Sequence, residues 1–334
     1  LATQQQFIDF LSEIEPSTST KFTCSSAHST LRTRLAAEER YQSIHLETYL
    51  SGSYARNTAL RPRTTEGIIR RPDVDIIVVT NHSTSDQPST VISTLRRALK
   101  QCGYGDLESN RRSVCVSLAS VEMDVVPIIP DPWRDGYWLI ADKHEERWLE
   151  TNPMGHNKWA LDINRRTDGT FKPLVKLIKW WKRENLPHLR RPKGFILETL
   201  VAELMDSKER SYEELFCKLL ERVTQEYQVH AAIGQVPCLR DPSVDGNDVF
   251  SRVRPEEFKR FYDVAATHAV LARRAQRETD EDKALALWQR VFGDRFRKSA
   301  AKSSSLLRPA AVNVAPLVFP SQAIVPPNKP AGFA

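Results

Sequence analysis

The chain has 334 residues, 48 basic against 42 acidic for a formal charge of +6, and a hydrophobic content of 40%. That length exceeds the commonest single domain and suits two lobes, with enough apolar residues for a substantial core in each. The small basic excess excludes a surface dominated by positive charge, so a mixed solvated surface with a local basic pocket is expected ahead of broad nucleic-acid binding.

In chain order, Thr3 to Ile14 predicts an amphipathic helix, with Phe7, Phe10, Leu11 and Ile14 at helical spacing, stopped by Pro16 and the Ser/Thr cluster beyond it. A second helix is expected from Ser25 to Gln42, capped by Ser26 and carrying Leu31, Leu35 and Tyr41 on one stripe. Ser43 to Leu50 alternates as a strand and delivers the chain to Gly52. Thr58 to Pro72 is a polar, Arg-rich loop, too long for a tight hairpin and without periodicity. Val74 to Val79 reads as a strand and Ser89 to Lys100 as a helix. Glu108 to Ser120 and Val121 to Pro130 follow as two strands, and Gly136 to Ala141 as a short one. From about Gly155 the pattern turns helical, over Phe171 to Glu184, Gly194 to Met205, Ser211 to Gln228, Pro255 to Arg273 and Asp280 to Phe296. After Lys298 periodicity is lost, and Ser299 to Ala334 reads as an extended Pro-rich tail. The expected domains are therefore 1–155 (sheet core with N-terminal helices), 156–298 (helical lobe) and 299–334 (tail), in the α+β class.

Five cysteines, Cys24, Cys102, Cys115, Cys217 and Cys238, are odd in number and share no C-x-x-C spacing. Reduced thiols in a cytoplasmic compartment are expected rather than disulfides or a zinc site. No apolar run approaches the ~20 residues needed to span a bilayer, and no secretory leader pattern is present, so no membrane partner is expected.

The chemistry-bearing stretch runs from Gly52-Ser53-Tyr54-Ala55-Arg56-Asn57-Thr58 to Asp73-Val74-Asp75. A Gly-Ser pair at a helix start offers amides and a hydroxyl to a phosphate. Residues i and i+2 of a strand face one way, so Asp73 and Asp75 project together, and two adjacent carboxylates call for a divalent cation such as Mg²⁺. Asp124, ahead of another apolar run, is the third carboxylate that nucleotidyl transfer needs, with Glu122 on the same strand face as a rival. Taken singly, each of these is commonly a turn, a strand end or a solvated face. Their conjunction ahead of an all-helical half is what points to an enzyme.

Together these residues resemble the polymerase-β-like nucleotidyltransferases, and more closely the bacterial CD-NTases, relatives of cGAS and oligoadenylate synthase. The helix Lys172-Pro-Leu-Val-Lys-Leu-Ile-Lys-Trp-Trp-Lys182 and Phe195-Ile-Leu-Glu-Thr-Leu200 are similar to the paired helices of the oligoadenylate-synthase-type second lobe. The resemblance covers roughly residues 5 to 300. It implies a mixed-sheet nucleotidyltransferase lobe flanked by helices, plus a helical second lobe. Asp73, Asp75 and Asp124 would be catalytic and bind Mg²⁺, and Gly52, Ser53, Arg56 and Lys179 would bind the donor triphosphate. Gly194 and Phe195, where the family often has a small polar residue followed by an aromatic, would complete the nucleotide site. Within the family the chain looks most like the D clade, which implies a cyclic trinucleotide made from ATP and GTP as a second messenger in anti-phage signalling. The alternative is a template-free linear transferase acting on RNA or a small acceptor. The tail ending at Ala334 would suit conjugation by an E1–E2-like ligase. Arg165, Arg166, Lys182, Arg183, Arg190, Arg191 and Lys193 are expected to be a solvated face or part of the cleft rather than the seat of a nucleic-acid activator.

Overall fold

The described residues of the structure, a computed structural model, are 4–65 and 68–298. They open with helices α1 (Gln4–Ile14) and α2 (Thr18–Ala36). Strands then dominate: β1 (His45–Leu50), a short helix α3 (Gly52–Ala55), β2 (Thr64–Thr65), β3 (Ile68–Ile69), β4 (Asp73–Thr80), helix α4 (Pro88–Gln101), β5 (Leu107–Ser109), β6 (Val114–Ser117), β7 (Glu122–Pro130), β8 (Trp138–Asp142) and β9 (Arg147–Thr151). Helices complete the series: α5 (Pro153–Arg166), α6 (Phe171–Asn185), α7 (Gly194–Leu204), α8 (Tyr212–Glu226), α9 (Gln228–Ala232), α10 (Pro255–Arg277) and α11 (Glu281–Phe292). The class is α+β, a mixed sheet flanked by helices and followed by helices, and the change from strand to helix falls between Thr151 and Pro153.

The seven-stranded sheet has the order β1-β4-β7-β6-β5, with β8 pairing both β7 and β9. Strand β4 lies in its interior, parallel to β7 and antiparallel to β1, the position that suits its apolar, β-branched sequence. Alternation along β4 and β7 separates two faces. Val74, Ile76, Val78, Met123 and Val125 pack into a core under α2 and α4 with Leu31, Leu35, Ile92, Leu95 and Leu99. The opposite face has a small apolar patch of Ile77, Val79 and Ile128 at one end. At the other end of that face, one pleat away, stand Asp73 and Asp75.

A second core joins the C-terminal helices to α1, whose Phe7, Phe10, Leu11 and Ile14 are all buried in it. The Phe7 ring meets Trp288 edge-on at 5.2 Å, and Phe10 lies 5.0 Å from Phe292. The N-terminal helix thus packs with the helical part of the chain rather than with the sheet. Among the described residues no helix is long and apolar enough to cross a membrane.

Several expectations are corrected. Helix α2 starts at Thr18, not Ser25, because the Ser/Thr cluster read as a stop is its cap: Ser17 Oγ accepts from the Thr20 amide at 3.1 Å. It ends at Ala36, and turns carry Tyr41 into the sheet-side core. The loop from Thr58 to Pro72 does contain a hairpin, β2 against β3, with Thr64 opposite Ile69. The strand expected from Glu108 to Ser120 is two, divided by a turn in which the Asn110 amide donates to the Ser113 carbonyl at 2.9 Å. Strand β9 and helices α5 and α9 were not expected. Helix α10 runs on to Arg277, and α11 stops at Phe292. The tail, 299–334, and its expected handling by a ligase lie outside the described residues.

One buried acid of the helical core gives a stability test. Glu213, near the start of α8, is 8% exposed, and its Oε1 accepts from Trp288 Nε1 at 3.2 Å. Burial pushes its carboxyl up to about 7 from the ordinary value of 4.5. A folded-state pKa above the unfolded one means that the protonated form stabilises the fold below the ordinary value. That stability is lost as pH rises through about 7. Glu213→Gln keeps an acceptor for Trp288 without the charge. Its melting temperature is expected to exceed the parent's by about 2–5 °C near pH 8 and by about nothing near pH 4.5, read by thermal denaturation. Equal shifts at both pH values would refute the buried-charge account.

Candidate active site

In the parallel pairing of β4 with β7, Asp73 is opposite Glu122 and Asp75 opposite Asp124. Paired residues of neighbouring strands share a face, so the four carboxylates stand on the side away from α2 and α4. Asp73 is exposed at the start of β4, yet desolvation by the surrounding chain, then repulsion from Asp75, Asp124 and Glu122, pushes it up to about 7, with Lys193 offsetting part of the rise. Burial and the charge of Asp124 raise Asp75 to about 6, and Arg56 opposes them. Asp73 and Asp75, made costly to ionise by desolvation and by their neighbours, form with Asp124 a donor set of hard oxygens that suits a divalent cation. Asp73, Asp75 and Asp124 are the residues that could hold one. Among the described residues, no three acid, imidazole or thiol groups by themselves form a metal-binding cluster. Remaining oxygens would have to come from a bound ligand, the habit of Mg²⁺ with phosphates.

Sequence reasoning missed the partners of Asp124. Ser113 Oγ donates to its Oδ1 at 3.1 Å and Asn110 Nδ2 to the same atom at 3.4 Å, both from the β5–β6 turn. The rival acid Glu122 is instead 3.6 Å from Arg71 Nη1 in an exposed pair.

The Gly52–Thr58 turn lies directly against Asp75. The Ser51 amide donates to the Asp75 carbonyl at 2.8 Å, and Gly52 has a φ of +66°. A Cβ on Gly52 would fall 1.7 Å from Asp75 Oδ2, so the carboxylate occupies space that any side chain here would need. Ser53, partly exposed, is the second residue of α3, and its carbonyl accepts from the Thr58 amide at 2.9 Å. The turn and the carboxylates therefore form one surface, as the motif predicts.

Arg56 and Lys179 are brought to this neighbourhood but turned inward. Both meet Glu198, a wholly buried acid of α7 that sequence reasoning did not single out. Arg56 Nε donates to Glu198 Oε2 at 2.6 Å, Lys179 Nζ to Oε1 at 2.6 Å and Thr58 Oγ1 to Oε1 at 2.9 Å. Burial works against the Glu198 charge, yet Lys179 and Arg56 outweigh it and hold the carboxyl down at about 2. Gly194 opens α7 beside Lys179, where a Cβ would come within 3.2 Å of Lys179 Cε. The Phe195 ring lies 5.4 Å from the Arg56 guanidinium and 4.5 Å from the His156 ring. Of the basic residues expected on a solvated face or in the cleft, Lys182 donates to the Leu189 carbonyl and Arg183 Nη1 to the Arg61 carbonyl at 2.7 Å. Neither is a free surface charge. A groove of about 630 Å³ between α8 and α10, lined in part by Glu221, Val270, Arg273 and Arg277, shares no residue with this site.

Comparison with known proteins shows the family and the fold. Residues 1–164 match the family model described as the Second Messenger Oligonucleotide or Dinucleotide Synthetase domain. A cyclic AMP-AMP-AMP synthase of Acinetobacter sp. is 53% identical over 100% of this chain and 98% of its own length. A cyclic AMP-AMP-GMP synthase of Enterobacter hormaechei subsp. hoffmannii is 28% identical over 88% of this chain and 91% of its own. Among solved structures, CdnC of E. coli MS115-1 with ATP superposes with a TM-score of 0.72 at 18% identity, covering 89% of this chain and 99% of that one. The apo form of DncV from Vibrio cholerae gives 0.69 at 12% identity, covering 85% and 92%.

Proposed function

The chain belongs to the family of second messenger oligonucleotide or dinucleotide synthetases, the bacterial CD-NTases, and on that premise we propose that it joins three ATP molecules into a cyclic triadenylate. It is a nucleotidyltransferase that makes a cyclic oligonucleotide second messenger in antiphage defence. The more similar relative has three adenylates in its name, which favours ATP alone. The AMP-AMP-GMP relative supports the mixed adenine–guanine product expected from the sequence, so GTP enters the test as a competitor. D-clade placement, conjugation of the tail at Ala334 and a cytoplasmic location are proposed on the sequence reading.

The observation that carries the reading is the register of Asp75 beside Asp124 on the face that Gly52 touches. In each transfer a ribose hydroxyl oxygen bonds to the α-phosphorus of a nucleoside triphosphate, the bond to the bridging oxygen breaks, and pyrophosphate leaves. Asp124, oriented by Ser113 and Asn110, takes or steers the hydroxyl proton. The Gly52–Ser53 amides and the Ser53 hydroxyl receive the β- and γ-phosphates, Lys179 adds a point charge, and Gly194 and Phe195 border the nucleotide. Enzymes of this family use a divalent metal. Mg²⁺ is the ion proposed here, and when bound by Asp73, Asp75 and Asp124 it would neutralise charge on the carboxylates and phosphates. Residues 1–155 and 156–298 are proposed as the two lobes that supply these groups.

Purified chain incubated with Mg²⁺ and ATP alone, then phosphatase, is expected to yield a resistant cyclic triadenylate by mass spectrometry, and nothing once EDTA removes the metal. A product that forms solely with GTP present would overturn the adenylate assignment. Label appearing on added RNA, with no resistant small product, would favour the linear-transferase reading.

A further inference from the structure

Glu198 carries more than an ordinary ion pair needs. Around it helix α7 buries Ile196, Leu197, Leu200 and Val201, with Thr199 the one other buried polar side chain. A buried carboxylate is satisfied by one cation, and each further buried charge adds desolvation cost. Here one carboxylate holds two, Arg56 and Lys179, with side-chain exposures of 7% and 9%. It also holds the Thr58 hydroxyl, so the turn that packs on Asp75 is fastened to α6 and α7 at a single point.

The ammonium of Lys179 has three acceptors for its three protons: Glu198 Oε1 at 2.6 Å, Thr58 Oγ1 at 3.1 Å and the Thr58 carbonyl at 3.3 Å. The last is the longest, and a phosphate oxygen entering beside the turn can take its place. Gly194 leaves room for that movement. Burial, Arg56 and Lys176 drive Lys179 toward its neutral form, and Glu198 opposes them. Lys179 in turn favours the ionised form of Asp75, which packs against Gly52 of the same turn.

We infer that Glu198 is a positioning residue for donor binding: its carboxylate keeps Lys179 charged and fixed beside the Gly52–Thr58 turn without touching nucleotide itself. This rests on the reading that the turn and Lys179 receive the donor triphosphate. The test is a cycle of Glu198→Gln, Lys179→Met and the double variant in the full chain, with pyrophosphate release measured against ATP concentration across pH. Glu198→Gln is expected to raise KM for ATP about tenfold near pH 8 with kcat within about threefold of the parent. The rise should shrink as pH falls, because acid returns to Lys179 the proton that burial, Arg56 and Lys176 disfavour once Glu198 is neutralised. In the Lys179→Met background the same change should add less than about twofold, since the lysine it serves is gone. A KM rise of one size at every pH, a full effect in the Lys179→Met background, or no rise at all would assign Glu198 to the scaffold. If Glu198→Gln does not fold, Glu198→Asp, which keeps the charge and shortens its reach, replaces it: a KM rise that falls below about twofold in the Lys179→Met background supports the inference, and an equal rise in both backgrounds, or none, assigns Glu198 to the scaffold. A parent that makes no cyclic product refutes the functional reading, whereas an active parent with an unmoved KM in the variant refutes this inference alone.

Discussion

Asp75→Asn is expected to lower the rate of cyclic oligonucleotide synthesis by at least about a thousandfold while leaving the chain folded. Asp75 is the carboxylate common to every part of the site: it faces Asp124 across the β4–β7 pairing, and its Oδ2 fills the space over Gly52. Asn matches its shape and withdraws its charge, so the loss reports the chemistry rather than the packing. Stability should move the other way. The folded-state carboxyl is raised to about 6 from 3.8 by burial and by Asp124, so its ionised form costs stability that grows as pH rises through about 6. In EDTA the variant should therefore melt about 2–5 °C above the parent near pH 8, and level with it near pH 4. Labelled-ATP turnover and thermal denaturation check the two halves. A folded variant that retains a tenth or more of the parental rate would place the chemistry elsewhere.

What the sequence made legible follows from the range of the interactions involved. The i, i+2 rule puts Asp73 and Asp75 on one strand face with no tertiary information, and the Gly-Ser turn is a local signal. That Asp124 joins them depends on a parallel register with a strand some fifty residues away, which no local pattern specifies; its place ahead of an apolar run only nominated it as the third carboxylate. Glu198 stayed hidden because Phe195-Ile-Leu-Glu-Thr-Leu200 reads as an apolar helix with one incidental acid. The available signal was a charged residue on a helix with no polar stripe to carry it. Asn110 and Ser113 were lost in a strand expectation that ran through a turn lacking Gly and Pro. The apolar stripe of α1 was read correctly, but a stripe identifies the face to be buried and not its partner. Phe7 and Phe10 found theirs at Trp288 and Phe292, near the other end of the described chain.

Gly52→Ala should be strongly damaging, although it adds a single methyl group. Two independent costs act at this position. An L-residue at a φ of +66° is strained by about 1–2 kcal/mol. The added Cβ also falls 1.7 Å from Asp75 Oδ2 and 2.5 Å from Asp75 Cγ, separations that real atoms do not tolerate. Because the Ser51 amide is bonded to the Asp75 carbonyl, the turn cannot slide away along the strand without breaking that link. Either Asp75 turns aside or the turn lifts from β4, and both separate the proposed phosphate grip from the carboxylates. Misplacement of this order is worth about a hundredfold in rate, so Gly52→Ala is expected to lose at least that much. Gly105→Ala, where a Cβ would meet nothing within 4 Å, is the matched control and should keep parental activity. Circular dichroism should show both variants folded. If Gly52→Ala turned over ATP as Gly105→Ala does, the contact between the glycine turn and Asp75 would have no part in catalysis, and the grip on the donor phosphates would have to be sought on another surface.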